Sequence, residues 1–222
     1  MLGKYDLSTI WQFMLDRVDE ITELTLEHIG VVLLSLAFAS IIGVGIGLLV
    51  WNKPVSRSFA VASTGVILTI PSMALLAMMI PVFGLGWVPT VIALSLYSLL
   101  PIVRNTVVGL REVSPAVMES ATGMGMSKFR VLMQVQFPIA WPVILTGLRV
   151  ATQLAVGIAA IAAYVAGPGL GEYIFKGLSM LGAIHALNFA LVGTLLIVII
   201  ALTFDAIFIL ISRYTTSKGI RA

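Results

Sequence analysis

Apolar positions in this chain are gathered into long runs rather than spread in alternation. Five runs stand out, at 29–50, 59–80, 88–103, 139–165 and 186–212. Each is close to or above the roughly 20 apolar residues a helix needs to cross a hydrocarbon core. Backbone groups in lipid have no water to bond, so runs of this length are predicted to be helical, with Pro71 and Pro101 marking kinks. The expected fold is an all-α integral membrane protein with five transmembrane helices.

Residues 1–24 precede the first run and hold Lys4, Asp6, Asp16, Asp19, Glu20 and Glu23. That is the opposite of a signal peptide, which has a basic start and an apolar core, so this stretch is expected to be mature protein. The spacing of Ile10, Phe13, Met14, Val18 and Ile21 predicts either an amphipathic helix lying at the membrane interface or a solvated lead-in.

Composition agrees with a lipid environment: 59% of the 222 residues are hydrophobic and 10% are charged, against roughly 25% charged in a soluble domain. The formal charge of +3 does not point to nucleic acid, because the basic residues stand singly between apolar runs. Their placement reports orientation instead, since Lys and Arg beside spans stay on the cytoplasmic side. Lys53 and Arg57 lie between the first two runs. Arg104, Arg111, Lys128 and Arg130 lie around the connection from the third to the fourth, and Arg213, Lys218 and Arg221 lie in the tail 213–222. The other connections are the acidic N-terminal stretch, the uncharged 81–87 and a glycine-rich loop with Glu172 and Lys176. The expected topology therefore has the N-terminus outside and the C-terminus inside.

Little in the sequence supports chemistry within this chain. There is no cysteine, and His28 and His185 stand far apart, so no metal site is expected. No HExxH or comparable cluster is present, which argues against a membrane-embedded enzyme and leaves no catalytic residue to name. The run Gly123-Met124-Gly125-Met126-Ser127-Lys128 lacks the Walker A spacing, so no nucleotide site is expected here. Gly43 and Gly47 form a GxxxG pair, read as a place of close helix approach.

The cytoplasmic segment 111–138 is long for a connection in a compact membrane protein. Ser114-Pro115 predicts a helix start, Glu119 falls in the early turns, and Gly123 and Gly125 predict a break. Ser127 then predicts a second helix, with Met126, Phe129, Val131, Leu132 and Val135 available to bury. Together these make a compact knob.

Glu119-Ser120-Ala121, then Gly125, then Val135-Gln136-Phe137-Pro138 resembles the EAA motif of binding-protein-dependent ABC importer permeases. Ser120, Val135 and Phe137 depart from the family's Ala, Ile and Leu, but the spacing is intact. Further agreement runs through 70–76, 83–86 and 97–106, where the sequence is similar to permeases of the glycine betaine, carnitine and choline branch; methionine and other small-solute permeases share the architecture. The resemblance implies a type I importer (MetI-like) transmembrane domain over 25–212. It implies a multi-pass protein of a prokaryotic cytoplasmic membrane, with a second permease, two ATP-binding subunits and an external solute-binding protein as partners. ATP and Mg would then be held by the ATPase rather than this chain. Glu119, Ser120, Ala121, Gly123, Met124, Gly125, Met126, Ser127 and Lys128 would form the coupling surface that docks on the ATPase and drives alternating access.

Charged residues inside runs are scarce and costly in lipid. Arg149 and Asp205 fall at nearly matching depths, which predicts a structural ion pair, with an ion or proton relay as the other reading. For a solute pathway, Met73, Met78 and Met79 lie near Pro71, and Tyr97, Tyr164 and Trp87 offer aromatic faces to a quaternary ammonium group. Core filling and interfacial anchoring are the competing readings for these. The rival function class is an autonomous secondary transporter or channel, which would have no use for the cytoplasmic knob.

Overall fold

A computed structural model describes residues 7–183 and 185–216. Lys4, Asp6, Lys218 and Arg221 lie outside the described residues. All regular structure among the described residues is helical: α1 Leu7–Leu15, α2 Val18–Val50, α3 Pro54–Thr69, α4 Ser72–Phe83, α5 Trp87–Glu112, α6 Pro115–Gly123, α7 Lys128–Val131, α8 Phe137–Ala162, α9 Gly171–Ser179 and α10 Ala186–Thr215. A π-helical segment, Leu132–Gln136, joins α7 to α8, and a 3-10 turn, Ala163–Val165, follows α8.

Among the described residues, four helices are long and apolar enough to cross a membrane: α2, α5, the continuous rod Lys128–Val165, and α10. The second predicted span differs from expectation. It is a bent pair, α3 and α4, rather than one kinked helix, and it supplies a fifth crossing only if the pair is a broken span. Pro71 has ψ 132 and so lies outside the helix, while Ile70 belongs to neither helix. Proline lacks the amide that would continue the ladder and disfavours helical geometry in the residue before it. Pro101, by contrast, is carried inside α5 without ending it.

The chain forms two compact units. The first comprises 7–35, 70–95 and 154–203. Here α1 is not a free interfacial helix, because Phe13 is buried against Tyr173 and Phe189, edge-on at 6.4 and 4.8 Å between ring centroids. The short helix α9 within the glycine-rich loop was not anticipated. His28, fully buried on α2, donates from Nε2 to the Val156 carbonyl at 3.2 Å. It packs against Gly169, whose φ of +108 and contact with the His28 backbone leave no room for a side chain.

The second unit comprises 36–69, 96–153 and 204–216. The GxxxG pair works here as a packing device. A Cβ on Gly43 would come within 2.8 Å of Ile102, and one on Gly47 within 2.5 Å of Thr106, so α2 lies directly on α5. Buried clusters continue this seam with Ala39, Ile102 and Ala151, and with Leu110, Ala140 and Ile144.

Candidate functional site

The segment 111–138 begins where α5 ends. Ser114 takes the N-cap position of α6 with Pro115 first in the helix, yet its side chain makes no capping bond. Glu119 is exposed and lies beyond the first turn of α6. Ser120 and Thr122 hydroxyls bond back to the Ala116 and Met118 carbonyls, and Ala121 is buried. Gly123 remains helical and would accept a Cβ freely. The turn is made by Gly125 alone, at φ +84, the left-handed region that an L side chain resists.

Ser127 starts the second half, its hydroxyl accepting from the Arg130 amide at 3.4 Å. This half is not a separate helix. One turn of α7 passes through the π segment directly into α8. The π bond from the Phe137 amide to the Leu132 carbonyl widens the ladder just before Pro138, where an ordinary turn would bring the ring against a carbonyl. Val131 is buried and Met126, Leu132 and Val135 are half-buried. Phe129, expected to bury, is 73% exposed, and Met124 is 77% exposed. The knob thus presents Met124, Phe129, Glu119 and Lys128 to its surroundings.

The knob's two ends are tied at the neck. Buried Gln136 donates through Nε2 to the Leu110 carbonyl at 2.7 Å. That carbonyl lies in the last turn of α5, where helix geometry supplies no amide to meet it. Sequence reading missed this bond; Gln136, one of two glutamines ahead of Pro138 in a largely apolar stretch, was its one visible sign.

Arg149 and Asp205 meet edge to edge, with Nε and Nη2 donating to Oδ1 and Oδ2, both at 2.6 Å. Arg149 lines a groove of about 570 Å³ between α8 and α10, together with Thr146, Pro142, Phe208, Ser212 and Arg213.

The pathway candidates are not brought together. Tyr97 is buried, whereas Met73, Met78 and Trp87 are exposed. Tyr164 is also exposed and stacks obliquely on Phe175, 5.2 Å between centroids. Met79 is half-buried.

A second cluster escaped the sequence reading. Glu20 pairs with Lys176 at 3.1 Å and lies 3.9 Å from Arg17. Arg17 stands over Phe13 and Phe189, and Lys176 over Phe189 and Tyr173. Burial, with the Glu20 charge beside it, pushes the Tyr173 hydroxyl well above the usual phenol range, so it stays neutral in this clasp. The amphipathic run of α9 was the available signal. Among the described residues no group of three or more His, Cys, Asp or Glu is placed to hold a metal.

Residues 29–216 match the family described as binding-protein-dependent transport system inner membrane component. The chain belongs to that family. It is an inner-membrane permease component of such a transport system, and relatives confirm the assignment along nearly its whole length. The choline transport system permease protein OpuBB of Bacillus subtilis is 33% identical, with 96% of each chain covered. The osmoprotectant import permease protein OsmW of Salmonella typhimurium is 36% identical, covering 94% of this chain and 98% of its own. An inward-facing structure of the MetNI methionine ABC transporter shares the fold, with a TM-score of 0.78 at 21% identity over 96% of this chain and 100% of that one. For a member of this family, the permease fold carries a knob at residues 111–138 and an ion pair within its long helices.

Proposed function

We propose that this permease imports a small compatible solute such as glycine betaine, carnitine or choline, and that a separate subunit supplies the energy by hydrolysing ATP. The relatives' names supply the solute class. In this reading the assembly has two permeases, identical or paralogous, two ATP-binding subunits and an external solute-binding protein. Five spans cross the membrane, with α3 and α4 as one broken span.

The distribution of charge supports an N-terminus outside and a C-terminus inside. The second unit holds Lys53, Arg57, Arg104, Arg111, Lys128, Arg130, Arg149 and Arg213, with only Glu112, Glu119 and Asp205 against them among its described residues. The first holds Arg17 and Lys176 against Asp16, Asp19, Glu20, Glu23, Glu27 and Glu172. Lys and Arg beside spans stay cytoplasmic, so the second unit faces the ATPase.

The observation that carries the reading is the knob, whose large apolar side chains Met124 and Phe129 stand in solvent beside Glu119 and Lys128. An exposed aromatic rimmed by charge is what a protein partner buries. Closure of the ATPase dimer on ATP would draw two such knobs together. Because α7 runs without a break into α8, the pull would reach the membrane along one rod and open the path outward.

The test is affinity capture of the tagged permease with solute uptake in cells. Glu119→Lys and Phe129→Asp are expected to leave the permease inserted but to reduce ATPase capture and uptake together. Full capture and full uptake in both variants would remove the knob as the coupling surface. Solute accumulation in vesicles holding the permease without any ATPase would favour an autonomous transporter instead.

A further inference from the structure

Within the second unit, α5 is packed on every side but one. From Leu96 to Leu110 it exposes no apolar side chain, and Arg104 is its one exposed residue. Neighbouring helices look different. α2 exposes Phe38, Ile41 and Leu49, and α3 exposes Val55, Phe59 and Val66, the apolar surface that lipid tails accept. Leu96, Leu100 and Val108 are half-buried and repeat every fourth position on the same face as Arg104, so the opening is a narrow strip along α5 with a cation in it.

Contacts with α2 set the depth of that cation. Ile102 lies on Gly43 and Thr106 on Gly47, which puts Arg104 level with Gly45. The apolar run of α2 continues to Val50, about 7.5 Å further at 1.5 Å per residue. On α8, Gly147 lies against Pro101 and Asn105, two positions before Arg149. Arg104 is therefore nearly as deep as the Arg149–Asp205 pair, yet it has no ion pair or hydrogen-bonded side-chain partner among the described residues.

A cation at that depth must face protein or water. An arginine snorkelling out of lipid stands on bare apolar surface like that of α2, and this strip has none. Direct packing on a second copy is no better, because a two-fold contact sets the basic strip on itself. The first acid along it, Glu112, is eight residues on, about 12 Å. Water answers both objections.

We propose that Arg104 lies in a water-filled vestibule that enters the membrane span along α5 and opens to the cytoplasm, where its charge admits small anions and repels inorganic cations. One fixed charge between low-dielectric walls dominates the field in so narrow a space. The mouth of the permease can then be wet without becoming a leak for cations. The proposal rests on the importer reading for the side to which the vestibule opens.

The chain has no cysteine, so Leu100→Cys places one thiol on the strip, a turn deeper than Arg104. The assembled importer in inverted vesicles at low salt is treated with an anionic methanethiosulfonate, the sulfonatoethyl reagent, or a cationic one, the trimethylammonioethyl reagent. Modification is scored on the tagged permease, and each rate is divided by that reagent's rate with mercaptoethanol. The anionic reagent is expected to react about tenfold faster, the preference that one charge gives at about 6 Å in bulk water. Arg104→Gln is expected to bring the ratio near one, Arg104→Lys to keep it, and raised salt to shrink it while Arg104 is present. Leu96→Cys serves the same test if Leu100→Cys does not assemble. The proposal is overturned if the thiol reacts only with a membrane-permeant maleimide, if it reacts with no reagent, or if neither Arg104→Gln nor salt moves the ratio. Labelling needs neither ATP nor uptake. Reaction from the outer side alone with the same charge preference counts against the assigned orientation, whereas charge-blind labelling in a preparation that imports counts against the vestibule alone.

Discussion

Gln136 and Leu110 are 26 residues apart in sequence, yet the side chain of one closes the last turn of the helix that carries the other, at 2.7 Å. The bond joins the segment's exit to its entrance, so whatever pulls on the knob pulls on α5 and α8 together. Gln136→Leu would leave the Leu110 carbonyl buried without a donor, a defect worth about 1–3 kcal/mol. The expected result is a lower thermal unfolding midpoint for the detergent-purified importer, with weaker coupling of ATP hydrolysis to uptake. An unchanged midpoint would show that the neck bond contributes nothing.

The two glycines of the knob should behave differently. Gly125→Val forces a branched side chain into a left-handed angle, costing at least about 1–2 kcal/mol, and is expected to deform the turn and reduce ATPase capture. Gly123→Ala lies in ordinary helix with open space around it and is expected to be silent. Equal effects in capture assays would mean that the backbone angle is not what the turn requires.

Removing one member of the intramembrane pair should cost more than removing both. Asp205→Ala leaves Arg149 charged within the membrane, a penalty of roughly 2.5 kcal/mol or more, and should lower the yield of assembled protein. Combining it with Arg149→Met should restore part of that yield, as read by size-exclusion chromatography of tagged complexes. Normal assembly of the single variant, with transport alone lost, would favour a relay.

Orientation can be read with cysteines in a chain that has none of its own. Ser127→Cys is expected to react only from the cytoplasm and Ser179→Cys only from outside. Gly169 is unsuitable as the outer position, since a side chain there meets His28. Labelling with an impermeant reagent in whole cells and inverted vesicles decides it, and reversed access would invert the topology.

Phe13→Ala should loosen the clasp of α1 on α9 and α10. Loss of a buried ring costs about 3–5 kcal/mol, and protease cleavage near Asp16 is the direct measure. Unchanged resistance would place the N-terminal helix outside the folded core.

The long helices and the Arg149–Asp205 contact were legible because lipid allows few alternatives: apolar runs become helices, and isolated opposite charges at one depth find each other. Gly125 was legible for a similar reason, since a chain turning that tightly favours a residue without Cβ. Pro71 announced an interruption, but whether a proline bends or ends a helix depends on what the next segment packs against, and that lies elsewhere in the chain. Likewise the sequence pattern sets the end of the connecting segment at 138, with the next helix beginning after it, whereas the wide turn ahead of Pro138 carries one helix straight through. Phe129 was misplaced by treating every apolar side chain as seeking a core within its own chain. The Glu20 clasp depends on residues more than 150 positions apart, beyond what local spacing reveals.

The wide turn at Leu132–Gln136 also fixes a direction. A helix advances about 100° per residue, so winding these same residues as ordinary α-helix, with none removed, would swing everything ahead of them around the rod by roughly that angle. Phe129 and Lys128 would then point to a different quarter of the compass while α8 stayed seated in the bilayer. The wide turn therefore acts as the azimuth setting of the proposed coupling surface, chosen independently of the helix that anchors it.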